Sequence, residues 1–212
     1  MTAKHLAMSV KGLSVRAGAQ AGAQMNSPAE LIARVRQGDD EAFRLIFERY
    51  SRPVTGFIYN MVGERPLAEE LAQDTFVRAY KNVGSLRDDA KLTVWLFGIA
   101  KNVAREALRA RGRAHPKVAL DDARAQQVSD DGRGPDRQLL DKELNEVIRA
   151  SLARLSEDKR LVFILRVFHQ RSYEEIAEIT GHSLSKLKVD MHRARLEMHS
   201  LVRPYVELSD EV

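Results

Sequence analysis

Residues 172–198 read SYEEIAEITGHSLSKLKVDMHRARLEM, and their spacing decides the fold. Ser172 stands three residues before Glu175, a pairing that caps a helix start reciprocally, so a helix begins at Tyr173. Ile176, Ala177 and Ile179 give that helix an inner face, and Gly181 permits the turn that follows. Ser183 or Ser185 caps the next helix, in which Leu184, Leu187, Met191, Ala194, Met198 and Leu201 point inward. Its outward set, Lys186, Lys188, Arg193 and Arg195, is basic. A helix, a short glycine-bearing turn and a helix with a basic outer face make the helix-turn-helix pattern. Any compact pair of helices shares that outline, and the basic outer set is what favours nucleic acid over plain packing.

The same period runs upstream. Phe43, Ile46, Phe47, Tyr50, Val54, Phe57, Ile58 and Met61 recur at steps of three and four, with Pro53 predicted to kink or break the helix. Pro66 opens the next helix, whose inner face holds Leu67, Leu71, Thr75, Phe76, Ala79, Tyr80 and Val83; Gly84 and Ser85 end it. A further helix over about 92–111 buries Leu92, Trp95, Leu96, Ile99, Val103 and Leu108. Aromatic residues are 6% of the chain and runs of strand-forming residues are scarce, which argues against an all-β sandwich or barrel.

Residues 112–138 break the pattern with Gly112, Pro116, Gly132, Gly134 and Pro135, few large apolar side chains, and acids and bases in balance. They read as a flexible linker, long enough that the flanking domains need not touch. After it, helices are expected over about 139–155, 158–169, 173–179 and 184–203. The predicted architecture is all-α: two small helical domains joined by a flexible linker, the second a helix-turn-helix. The boundaries are a disordered N-terminal extension over 1–28, a first domain over 29–112, the linker over 113–138, a second domain over 139–206 and an acidic tail over 207–212. The extension lacks the continuous apolar core of a signal peptide, and Met25 is an alternative start.

Charge is distributed unevenly around a net +4. Lys101, Arg105 and Arg109 recur every four residues and form one cationic ridge, with Asn102 beside it. A positive ridge next to Trp95 suits single-stranded nucleic acid, although Trp95 on the stripe with Leu92 and Ile99 serves first to hold the helix in place. Acids gather in Asp39–Glu41 and on the outer face formed by Glu69, Glu70, Gln73 and Asp74. By pattern alone that face is solvated helix surface, favoured near a helix N-terminus.

Three segments carry a family resemblance. SYEEIAEITGHSLSKLKVDMHRARLEM resembles the promoter-reading domain of bacterial sigma factors, LAEELAQDTFVRAYKNV (67–83) resembles their polymerase-binding helix, and KLTVWLFGIAKNVAREALRARGR (91–113) resembles the helix that reads the melted upstream promoter element. The order and spacing match, and the resemblance covers roughly residues 29–203. The chain is thereby identified as a member of the extracytoplasmic-function group (ECF, group IV) of the sigma-70 family. The resemblance implies a factor that binds core RNA polymerase, directs it to promoters and assists their opening. It implies polymerase contacts at Glu69, Glu70, Gln73 and Asp74, and contacts to the minus-ten element at Trp95, Lys101, Asn102, Arg105 and Arg109. Ser185, Lys186, Lys188, Val189, Asp190, His192 and Arg193 would meet the minus-thirty-five element. The implied partners are core RNA polymerase and promoter DNA, and an anti-sigma factor is left open as a third.

Val189 and Asp190 depart from the family, which places a small hydroxyl and an arginine there. Asp190 either pairs with Lys186 or Arg193 on its own helix, or enters the major groove and accepts from a cytosine amino group while Val189 meets a thymine methyl. The second alternative predicts an upstream element that differs from the family's at that base. The rival from another class is a stand-alone helix-turn-helix regulator with an N-terminal sensor or dimerisation module.

An enzyme is not expected. Cysteine is absent, which excludes disulfides, zinc–thiolate sites and cysteine nucleophiles. His192 and His199 are too far apart for a helical metal pair, and His169 and His182 border turns without paired carboxylates nearby. No phosphate-binding glycine loop or nucleophile elbow is present. No catalytic residue, metal or cofactor is expected, and with no apolar run of membrane-spanning length the expected setting is the cytoplasm.

Overall fold

The computed structural model describes residues 27–114 and 135–209, and every regular element within them is helical. In the first half, α1 spans Pro28–Arg36, α2 Asp40–Val62, α3 Arg65–Lys81 and α4 Leu92–Ala114. In the second, α5 spans Pro135–Arg154, α6 Glu157–Phe163, α7 Tyr173–Thr180 and α8 Leu184–Ser209. This is the predicted all-α, two-domain architecture with α7 and α8 as the helix-turn-helix. The expected N-terminal extension lies outside the described residues except for Ser27 and Pro28, which cap and start α1. Most of the expected linker also lies outside them, and its last residues, from Pro135, belong to α5. α8 continues to Ser209, into the stretch read as an acidic tail.

Local chemistry sets the helix ends. The Ser172 hydroxyl accepts from the Glu175 N–H at 3.1 Å, and the Ser172 N–H donates to the Glu175 carboxylate at 2.7 Å. Ser27 and Glu30 repeat this box at α1. Such caps contribute about 1 kcal/mol each, enough to fix where short helices begin. Gly181 ends α7 with φ 75°, a left-handed conformation that an L side chain resists, and its N–H bonds the Ala177 carbonyl.

Pro53 neither ends nor splits α2, which runs unbroken from Asp40 to Val62. The missing N–H costs about 3 kcal/mol in a helix interior. Val54, Phe57, Ile58 and Met61 flank it fully buried, and burying large apolar side chains at about 1.5–3 kcal/mol each outweighs that loss.

The predicted stripe of α2 buries largely as expected, whereas α3 and α4 differ. On α3 Thr75, Phe76 and Ala79 are buried as expected, but Ala68 and Ala72 join them while Leu67, Leu71 and Tyr80 are only half-buried. On α4 Leu92, Leu96 and Val103 are buried, but so are Phe97, Ala100 and Ala104, while Trp95, Ile99 and Leu108 are only half-buried. The extra face meets the second half of the chain. Contrary to the expectation that the domains need not touch, buried residues of both halves form one continuous core. The linker's low apolar content says nothing about the faces it connects, and those faces supply the contact.

Two side chains lock this seam. Arg160 on α6 donates to the Met61 carbonyl at the end of α2 (2.8 Å) and to the Ala153 and Leu155 carbonyls at 2.8 and 3.1 Å. Burial lowers its pKa, the cost of holding a guanidinium on carbonyls alone. After α6 the chain widens into a π-turn over Ile164–Phe168 and passes through Gln170 at φ 52°. That turn carries the His169 ring inward to 4.8 Å from the Phe97 ring and 5.9 Å from Phe57. Burial, with Arg171 adding repulsion, depresses the His169 pKa to about 4, so the wedge is neutral. His169 is thus a structural histidine.

Candidate functional site

Three surfaces gather the predicted site residues. The first is the outer side of α3, whose opposite side buries Ala68, Ala72, Thr75 and Phe76. Glu69, Glu70 and Gln73 are exposed there. Glu69 pairs with Arg65 at 3.0 Å. Asp74 is half-buried and pairs with Arg78 at 2.9 Å, and Arg78 also reaches Glu106 on α4 at 2.8 Å. The face is therefore acidic at Glu70, polar and uncharged at Gln73, and partly neutralised where Glu69 meets Arg65 and Asp74 meets Arg78.

The second surface is the α4 ridge, and the structure divides it. Asn102 and Arg109 are exposed. Lys101 and Arg105, by contrast, turn toward the second half. The Lys101 ammonium donates to the Ile179 carbonyl at 2.7 Å, and burial, followed by repulsion from Arg105, lowers its pKa. The Arg105 guanidinium donates to Asp158 at 2.8 Å and stands in ion-pair contact with Glu157. Trp95 is half-buried against the core, in keeping with a supporting role for its ring.

The third surface is the outer face of α8. Leu187, Met191, Ala194 and Met198 are buried, and on the other side Ser185, Lys188, Val189, His192 and Arg193 are exposed. Leu184, expected inside, is 40% exposed at the first position of α8. Ser183 caps the helix, its hydroxyl accepting from the Lys186 N–H at 3.3 Å. Lys186 is drawn aside: its ammonium donates to Asp158 at 2.8 Å and to Asp190 at 2.5 Å. Asp190 therefore takes the local alternative, pairing with Lys186 and not Arg193, and its side chain is only 14% exposed.

Sequence reasoning missed the acids that gather these cations. Glu157, Asp158 and Glu178 lie in no periodic cluster, and only the folded arrangement brings them to α4 and α8. His182, expected to border a turn without paired carboxylates, has the single carboxylate of Asp158 at 3.4 Å. A cleft of about 410 Å³ opens on the seam beside His169, between Arg49, Pro53, Phe97 and Phe168. It presents no pair of carboxylates, and no group of three metal-ligating side chains occurs among the described residues.

Comparison with known proteins follows these same surfaces. Residues 46–114, containing the α3 face and the α4 ridge, match the model of Sigma-70 region 2. Residues 145–198, containing the helix-turn-helix, match that of Sigma-70, region 4. The RNA polymerase sigma-H factor of Pseudomonas aeruginosa is 32% identical over 180 residues, covering 82% of this chain and 93% of that protein. The chain belongs to the extracytoplasmic-function sigma factors. The ECF RNA polymerase sigma-E factor of Escherichia coli K12 is 31% identical over 183 residues, covering 83% of this chain and 94% of that protein. The sigma factor RpoE of Bartonella quintana, solved in complex with the anti-sigma factor NepR, is similar with a TM-score of 0.63 at 25% identity. It covers 76% of this chain and 96% of its own. CnrH, solved with the cytosolic domain of CnrY, shares the fold with a TM-score of 0.63 at 21% identity, covering 84% of this chain and 99% of its own. As a sigma factor the chain acts in transcription initiation, directing RNA polymerase, with region 4 as its DNA-binding helix-turn-helix.

Proposed function

We propose that this sigma factor uses its three surfaces in distinct roles: α3 docks core RNA polymerase, α4 holds the melted minus-ten strand, and α8 enters the major groove of the minus-thirty-five element. The observation that carries this reading is the two-sidedness of α8, where Leu187, Met191 and Ala194 are buried while Lys188, Val189, His192 and Arg193 stand exposed on one outer face. A helix presented this way across a short turn is what groove entry requires. On α3, Glu69, Glu70, Gln73 and Asp74 would meet a basic polymerase surface, where complementary charge speeds encounter and fixes register. On α4, Lys101, Asn102, Arg105 and Arg109 would follow phosphates, with Trp95 supporting the helix beneath them.

Promoter opening needs no catalytic side chain in this scheme. Preferential binding of the melted strand shifts the duplex–open equilibrium by the difference in affinity for the two forms. We further place the protein in the cytoplasm, with its polymerase; no described helix is long and apolar enough to cross a membrane. An anti-sigma factor is an expected partner, by analogy with the solved complex of RpoE with NepR.

Gel filtration of the chain with purified core polymerase tests the assignment against a stand-alone regulator. Co-elution in a one-to-one complex is expected. A chain that binds promoter duplex alone and never associates with core enzyme would support the regulator instead.

A further inference from the structure

The loop between α3 and α4 runs over residues 82–91 and holds two short 3₁₀ turns, Val83–Ser85 and Asp89–Lys91. Its internal bonds are local. The Leu86 N–H donates to the Val83 carbonyl at 3.2 Å, and the Asp88 carboxylate and carbonyl accept from the Ala90 and Lys91 N–H groups at 3.0 and 2.9 Å. Bonds of that span shape a turn without fixing where it sits on the protein. Within the first half, its placement comes from Arg36, the last residue of α1. The Arg36 guanidinium donates to the Leu86 carbonyl at 2.5 Å and to one Asp89 oxygen at 3.0 Å. The other Asp89 oxygen is buried and accepts no hydrogen bond among the described residues; Arg36 stands in ion-pair contact with it at 2.8 Å. α1 is a firm base for this reach, because Leu31, Ile32 and Val35 are buried and Arg34 pairs with Asp39 at 2.8 Å just past its end. Outward, the loop presents Arg87, which is exposed and makes no hydrogen bond or ion pair among the described residues.

We propose that Arg36 is a positioning residue for strand binding: it braces the loop so that Arg87 stands before α4 as a further phosphate contact for the strand that α4 carries. The path of that strand rests on the proposed function; the brace of Arg36 on the loop does not. Arg36 itself is spent on the loop, and α1 carries none of the DNA-directed residues. A guanidinium suits the task, because its planar fork bonds a carbonyl and a carboxylate together, whereas an ammonium is a compact point charge without that fixed geometry. Without Arg36 a buried carboxylate oxygen and the Leu86 carbonyl would lose their cation, a cost the chain relieves by moving the loop toward water. Arg87 would move with it, since both belong to one short turn-rich segment.

The test uses holoenzyme assembled from the full chain and core polymerase, with a fluorescent single-stranded oligonucleotide of mixed sequence read by anisotropy over a range of salt. Arg87→Ala is expected to flatten the log–log salt slope by about 0.7, one phosphate contact on a single strand. Arg36→Ala is expected to flatten it by about 0.7 as well, although Arg36 touches no strand. The double variant should lose about 0.7 and not twice that, because two residues acting through one contact are not additive. A role confined to stability would lower the melting temperature and leave the slope where it is. Arg36→Lys, the milder variant, keeps the charge without the fork and is expected to give a smaller flattening in a chain that folds. Amide hydrogen exchange reads the brace without DNA: the Leu86, Ala90 and Lys91 amides should exchange faster, relative to those of α2, in both Arg36 variants. Unchanged protection overturns the brace. An unaltered slope in both Arg36 variants overturns the positioning role when Arg87→Ala flattens it. A loss that doubles in the double variant also overturns it, since Arg36 would then meet a phosphate itself. Faster exchange with no change of slope in Arg87→Ala or Arg109→Ala would leave the brace standing and overturn the proposed path of the strand along α4.

Discussion

Asp190 shows how much one side chain can be read from sequence and where that reading stops. Its position in the recognition helix, where the family has an arginine, is plain from the residues alone. Whether it faces a base or a neighbouring lysine depends on a local geometry that spacing leaves open, since both Lys186 and Arg193 lie within one turn. In the folded chain the choice falls on Lys186, which Asp158 orients from the other side. That contact places Asp190 to orient Lys186 instead of reading a base. Selection of upstream elements with Asp190→Asn holoenzyme should return the wild-type preference, with affinity altered evenly across sequences. A changed base at one position would mean that Asp190 reaches the groove and reads it. At the seam, His169 carries a pH dependence of defined sign. Its pKa is lowered to about 4 in the folded chain from the ordinary 6.5, so its contribution to stability is complete above about pH 6.5 and fades as pH falls toward 4. His169→Phe keeps an aromatic wedge without a titrating group. Over that window its melting temperature should fall less than that of the wild type; parallel falls would show that the ring is not what titrates.

At the scale of elements, periodicity made most of the fold legible. The capping box at Ser172, the glycine turn at Gly181 and the stripe of α2 each follow from chemistry within a few residues. Pro53 does not break α2, because burial of its neighbours outweighs the cost of its missing N–H. The second buried face of α4 was not legible because Phe97 packs on both Phe57 of its own half and His169 of the other, a contact that no local spacing announces. The outer side of α3 can be tested with little structural risk. Glu70→Lys with Asp74→Lys should abolish binding to core polymerase while leaving helical content unchanged. The only described pair broken is Asp74 with Arg78, and an exposed pair of this kind is worth about 0.2–1 kcal/mol. Retained polymerase affinity would remove this face from the interface. On α4, the exposed Arg109 is available without any rearrangement. Arg109→Ala should flatten the log–log salt dependence of single-strand binding by about 0.7, the share of one phosphate contact. An unchanged slope would mean that Arg109 faces elsewhere in the bound state.

The whole molecule is where sequence and structure part most clearly. A linker-like stretch suggested two bodies free of one another, yet Arg160, His169 and the acids at the start of α6 join them across positions far apart in the chain. No one-dimensional pattern encodes that contact, because each partner is unremarkable within its own segment. The family assignment, by contrast, was legible from three collinear segments, and both halves match the sigma-70 regions expected of them. In the joined arrangement Lys101 and Arg105 of the ridge bond Ile179 and Asp158 of the second half, and Lys186 of the recognition helix bonds the same Asp158. The most direct measurement is run-off transcription from a library of promoter fragments, with purified core RNA polymerase in the presence and absence of this chain. Transcripts starting at a defined subset of promoters only when the chain is added are the predicted result; transcription that is unchanged by the chain, in amount and in start sites, would contradict the account.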